Sequence, residues 1–84
     1  MYSVRISPHA ERDIRRLDRQ IKNRIVTAAL ALADEPRPTG CLKVKGEAGL
    51  WRIRIGDYRI GYEVDDPKRE VAIIKVGHRS EFYD

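Results

Sequence analysis

The sequence predicts an α+β domain: an N-terminal strand, a helical hairpin, then four antiparallel strands in a small twisted sheet with both helices on one face. Three observations lead there. Apolar residues recur at helical spacing as far as about Ala33, then alternate with a period of two from Leu42 onward. Ser7-Pro8 and Asp18 each stand immediately before a helical stretch, where helix-start residues belong. The chain has 84 residues, which bounds it to one domain spanning residues 1–84.

The elements follow in order. Tyr2, Val4 and Ile6 alternate with Ser3 and Arg5, the pattern of a half-buried strand. Ser7 supplies an N-cap oxygen and Pro8 a preset φ at the first helical position, so a helix should run to about Leu17. Asp18 should cap a second helix reaching about Ala33, with Ile21, Ile25, Ala28, Ala29 and Leu32 as its apolar stripe. Pro36-Arg37-Pro38-Thr39-Gly40 ends it. Strands are then expected at Leu42 to Lys45, Leu50 to Ile55, Tyr58 to Val64 and Val71 to Val76. The last is apolar on both faces, as a central strand should be.

Composition narrows the function. No run approaches the about 20 apolar residues of a membrane span, and no signal peptide opens the chain, so no membrane partner is expected. Cys41 is the sole cysteine, which excludes an internal disulfide and suits a reducing cytoplasm. Seventeen Lys and Arg against thirteen Asp and Glu give +4, a balance that suits an anionic partner. Where the charges fall says more.

Gly56-Asp57 reads as a two-residue hairpin loop, and that fixes a register. Ile55 then faces Tyr58, Arg54 faces Arg59, Ile53 faces Ile60 and Arg52 faces Gly61. Trp51, Ile53, Ile55, Tyr58, Ile60 and Tyr62 share the side under the helices. Arg52, Arg54 and Arg59 share the other. Arginines opposite each other repel, so this face is expected either to be exposed and screened by solvent or to hold an anion between its guanidiniums. Gly61, with no side chain, leaves room there for a ligand.

The tail Gly77-His78-Arg79-Ser80-Glu81-Phe82-Tyr83 adds polar groups suited to RNA chemistry, with His78 the usual titrating type near neutral pH. His9 reads as structural or surface. Lys43, Lys45 and the helix residues Arg12, Arg16 and Arg19 are candidate RNA contacts, the alternative being a solvated basic surface. Phosphate-binding loops, zinc spacings and nucleophile-elbow motifs are missing. No metal or other cofactor is therefore expected.

The hairpin Leu50-Trp51-Arg52-Ile53-Arg54-Ile55-Gly56-Asp57-Tyr58-Arg59-Ile60-Gly61-Tyr62-Glu63-Val64 resembles the signature of the RelE/ParE toxin superfamily. The ending Val76-Gly77-His78-Arg79-Ser80-Glu81-Phe82-Tyr83 is similar to its C-terminus, and the SPHAERDIRRL helix and Pro-rich loop match as well. The resemblance covers residues 2 to 84. It implies a RelE-like fold and a ribosome-dependent, metal-independent endoribonuclease. Such a toxin cuts mRNA in the ribosomal A site by attack of the 2′-hydroxyl on the adjacent phosphate. It implies Arg52, Arg54, Arg59, Arg79 and Tyr83 as catalytic residues, Arg59 and Arg79 stabilising charge and Tyr83 serving as base or RNA-orienting group. The well-studied family member has lysines where this chain has Arg52 and Arg54. Arginine is a poor proton shuttle, so His78 becomes a candidate proton donor. The implied partners are a cognate antitoxin and the ribosome with its mRNA. A ParE-like DNA gyrase inhibitor on the same fold, or a noncatalytic antitoxin-binding relative, is the alternative.

Overall fold

The computed structural model describes residues 1–82; Tyr83 and Asp84 lie outside the described residues. The chain forms β1 (Ser3–Ile6), α1 (Pro8–Arg15), α2 (Arg19–Ala31), β2 (Leu42–Lys43), β3 (Trp51–Ile55), β4 (Tyr58–Asp65), β5 (Glu70–His78) and a 3₁₀ turn (Arg79–Glu81). One five-stranded sheet has the order β1-β5-β4-β3-β2. β1 joins it parallel to β5 and the other neighbours are antiparallel, so the sheet is mixed. The α+β class and the element order agree with the sequence pattern. No helix among the described residues is long and apolar enough to cross a membrane.

Both helix starts form as expected. Ser7 Oγ accepts the Ala10 N–H at 3.1 Å and Asp18 Oδ1 accepts the Ile21 N–H at 3.2 Å. Their ends come earlier than the apolar pattern suggests. Beyond α2 the chain tightens into i→i+3 bonds, Ala33 N–H to Leu30 O at 3.1 Å, because Pro36 cannot extend a helix. β2 stops at Lys43, two residues before the expected end, and Lys45 falls in the following turn. Val44 N–H to Leu50 O (2.9 Å) closes that turn.

Ala10, Ile14, Ile25, Ala29 and Leu32 from the helical layer bury against Ile53, Ile60, Tyr62, Val71, Ile73 and Val76 from the sheet. Trp51, Ile55 and Tyr58 pack on this core half-buried. Tyr62 donates its hydroxyl to Pro36 O at 2.7 Å, which fastens the loop after α2 to the core. Burial, reinforced by Cys41, pushes the Tyr62 phenol well above the ordinary tyrosine range. Outside the core, Asp66 accepts from Arg37 (2.9 Å) and from Tyr2 (2.6 Å), tying the same loop to the β4–β5 turn. Those two hydrogen bonds, Arg37 first, hold the Asp66 carboxyl below the usual carboxylate range.

The one break in the ladder lies between β4 and β5. Gly61 pairs with Lys75, but its neighbour Tyr62 pairs with Ile73, leaving Ile74 as an extra residue on β5. Here β1 has ended, and the outer edge of β5 needs other partners. α1 and its cap supply them. Ser7 N–H reaches Ile73 O (2.9 Å), Ser7 Oγ reaches Ile74 O (3.1 Å), and Asp13 Oδ2 accepts the Val76 N–H (3.0 Å). His9, exposed, stands beside the same carboxylate at 3.5 Å. Asp13→Ala should cost about 1–3 kcal/mol by stranding the Val76 N–H, whereas Asp13→Asn, which keeps an acceptor oxygen, should lose much less. Urea denaturation of the two variants checks this.

Candidate active site

The β3–β4 hairpin has the expected register: Ile55 with Tyr58, Arg54 with Arg59, Ile53 with Ile60, Arg52 with Gly61 and Trp51 with Tyr62. Gly56 turns it in the left-handed region, φ +61°. Continuing the pairing into β5 lays out the helix-free face as rows across the sheet. One row is Arg54, Arg59, Gly77; the next is Arg52, Gly61, Lys75. Three arginines and a lysine thus surround a position without a side chain.

This face is not the solvated surface that alternation alone suggests. Arg52 is 5% exposed and Arg59 is 3% exposed; only Arg54 is open to solvent. The C-terminal segment folds back across this face after β5, over Gly61 and Lys75. Phe82 is buried, and its Cε2 would lie 3.2 Å from a Cβ placed on Gly61, with Lys75 Cγ equally near and Leu50 Cδ1 at 3.7 Å. The ring therefore fills the recess that glycine leaves. Lys75 Nζ sits 4.5 Å from the ring centroid, a cation–π contact that holds both groups. Arg59 Nη1 donates to Tyr58 O at 3.2 Å and to Gly56 O at 3.4 Å, bracing the hairpin loop.

The segment is anchored at its other end as well. Arg79 N–H donates to Asp57 O in the hairpin loop (2.7 Å), and Phe82 N–H to Arg79 O (3.2 Å). Glu81 folds over Gly77, where a Cβ would meet its carboxylate at 2.8 Å, and accepts the His78 N–H at 2.8 Å. Arg79 itself is exposed at this anchor point, beside the loop of the arginine hairpin.

Other expected site residues are placed elsewhere. His78 pairs with Tyr58 on the helix-facing side of the sheet, its ring edge-on to the tyrosine at 5.7 Å, so the sheet separates it from Arg52 and Arg59. Its Nδ1 accepts the Ser80 N–H (3.2 Å), which makes it the cap of the 3₁₀ turn. Lys43 also faces the helix side, in register with Trp51 and 5.5 Å from its ring, with Arg37 at 5.3 Å. Lys45 is exposed in the turn after β2. Arg12, Arg16 and Arg19 are exposed on the helical layer, across the sheet from the arginine face, and do not join it. Tyr83 lies outside the described residues. The residue that alternation misses is Lys75. Its signal is the Ile73-Ile74 doublet, where strict alternation fails.

Comparison with known proteins defines the class. The family described as "ParE toxin of type II toxin-antitoxin system, parDE" matches residues 4–83. Toxin RelG of Mycobacterium tuberculosis is 35% identical over 83 residues, 98% of this chain and 95% of that protein. A chain of the toxin–antitoxin complex RelBE2 from Mycobacterium tuberculosis superposes with a TM-score of 0.84 at 34% identity, covering 94% of this chain and 92% of that one. The archaeal RelE–RelB complex from Pyrococcus horikoshii gives 0.80 at 28% identity, covering 93% and 94%. The chain belongs to the RelE/ParE superfamily, the toxins of type II toxin–antitoxin systems. Within it, the relatives and solved neighbours named here are RelE-type toxins.

Gly61→Val should drive the Phe82 ring out of its recess and cost about 1–3 kcal/mol by overpacking. Faster amide exchange at Phe82, together with a lower melting temperature, would mark the loss of the seal.

Proposed function

We propose that this toxin is a ribosome-dependent, metal-independent endoribonuclease that cuts mRNA in the ribosomal A site and so stops translation in the cytoplasm. The observation that carries the reading is the row arrangement of Arg52, Arg54 and Arg59 around Gly61, with Arg79 tethered to the same hairpin. Cleavage through the 2′-hydroxyl builds negative charge on a phosphorane. Guanidinium forks match phosphate oxygens with paired hydrogen bonds. Donors already held in place stabilise such charge without reorganising as it forms. Arg59 and Arg79 take the charge-stabilising role, and Arg52 and Arg54 hold the flanking backbone.

Phe82 fills the recess over Gly61, so a phosphate that binds there takes the place of the ring. Binding of mRNA on the ribosome thus displaces Phe82 from the recess. The physiological partner besides the ribosome is a cognate antitoxin. An apolar cavity of about 360 Å³ between α2 and β3, lined by Ala28, Ala31, Leu32, Ile53 and Ile55, suits an amphipathic antitoxin segment.

The description of the matching family as a ParE toxin keeps a gyrase-directed activity as the second reading. Primer extension on mRNA from a cell-free translation reaction separates the two. Codon-local cuts support the nuclease; intact mRNA with accumulated gyrase–DNA breaks supports the gyrase inhibitor.

Arg59→Ala should slow single-turnover cleavage on programmed ribosomes by ~10²–10³. Arg59→Lys should recover only part of that, since a point charge cannot reproduce the fork. The sequence alone suggests little loss of stability, but a buried guanidinium bonded to the Gly56 and Tyr58 carbonyls argues for a loss of about 1–3 kcal/mol. Rates taken well below the melting temperature of each variant separate the two effects. Full-speed cleavage by folded Arg59→Ala contradicts the assignment.

A further inference from the structure

Cleavage needs a proton for the departing 5′ oxygen. Arginine does not release one, and His78 stands on the other side of the sheet. Lys75 is the strand lysine that the register places on the arginine face; Lys43 faces Trp51, and Lys45 and Lys68 lie in turns.

Its placement there depends on the bulge. Val71 and Ile73 face the helices, so unbroken alternation would send Lys75 beneath α1 with them. The extra residue, Ile74, turns Lys75 over, and Val76 takes the core position instead. Bulges of this kind re-aim side chains beside active sites. Ser7 and Asp13 hold this one with three hydrogen bonds, so the orientation is built in.

The surroundings fit a phosphate. Lys75 lies across Gly61 from Arg52 and diagonal to Arg59, where side chains on adjacent strands stand about 7–8 Å apart, a gap that two long cations close around one anion. Its Nζ is 4.5 Å from the centre of the Phe82 ring. A phosphate that takes the ring's place over Gly61 therefore arrives within reach of the ammonium.

The geometry points to Lys75 as the proton donor of the cleavage step, an assignment that rests on the endoribonuclease reading. The 2′ oxygen attacks phosphorus and its proton passes to water. The P–O5′ bond breaks, and Lys75 Nζ gives a proton to O5′. The products are a 2′,3′-cyclic phosphate and a 5′-hydroxyl; the neutral amine then regains a proton from solvent.

The test uses programmed ribosomes carrying mRNA with either an ordinary linkage or a 5′-bridging sulfur at the scissile position. A thiolate leaves without a proton, so the sulfur linkage no longer needs the acid. Lys75→Met should cut the ordinary linkage ~10²–10⁴ more slowly than the wild type and the sulfur linkage at nearly the wild-type rate. Lys75→Arg, which keeps the charge and the contact with Phe82, should show the same split. Equal losses on both linkages would make Lys75 an electrostatic or tail-anchoring group and overturn the proposal. So would full activity of Lys75→Met on the ordinary linkage, which leaves the nuclease reading standing. A wild type that cuts neither linkage overturns both.

Discussion

The seating of Phe82 over Gly61 is the contact on which the rest of the helix-free face depends. A glycine in the middle of β4 opens a recess one side chain deep, and the chain's own C-terminal segment fills it. On the same face Arg52 and Arg59 are buried, and the Lys75 ammonium lies against the ring. Arg79 is drawn to the hairpin loop by the same return of the chain. Burying a cationic group is costly, and for Arg59 hydrogen bonds to the Gly56 and Tyr58 carbonyls offset part of that cost.

The second constraint comes from the opposite layer. α1 packs on β5 through Ala10 and Ile14, and its polar residues Ser7 and Asp13 serve the edge that β1 leaves bare. Those bonds stabilise the bulge at Ile74, and the bulge decides which face Lys75 occupies. A helix on one side of the sheet thereby sets the chemistry on the other. The coupling is local and mechanical, through one strand.

Much of this was legible in the residues. The hairpin register follows from period-two alternation around Gly56-Asp57, because a slip of one residue would expose Ile53 and Ile60 together. The helix starts follow from Ser7-Pro8 and Asp18, whose side chains act on neighbours only three residues away. What alternation could not show are events set by distant parts of the chain. The seating of Phe82 over Gly61 joins a tail residue to a strand position more than 20 residues earlier. The position of Lys75 comes from a bulge held by residues more than 60 positions earlier. His78 looked like a proton donor by type, but capping the 3₁₀ turn uses its Nδ1 as an acceptor on the wrong side of the sheet. The parallel pairing of β1 with β5 likewise depends on contacts far apart in sequence.

On this reading an RNA phosphate takes the place of the Phe82 ring. The most direct measurement is a cryo-EM structure of the toxin on a ribosome whose mRNA carries a 2′-O-methyl group at the scissile nucleotide, which blocks the attacking hydroxyl. The scissile phosphate should lie over Gly61, within hydrogen-bonding distance of Arg59 and Lys75, with Phe82 displaced. A toxin bound with Phe82 still seated and the phosphate against the helical layer, or a toxin that does not enter the A site, would contradict it.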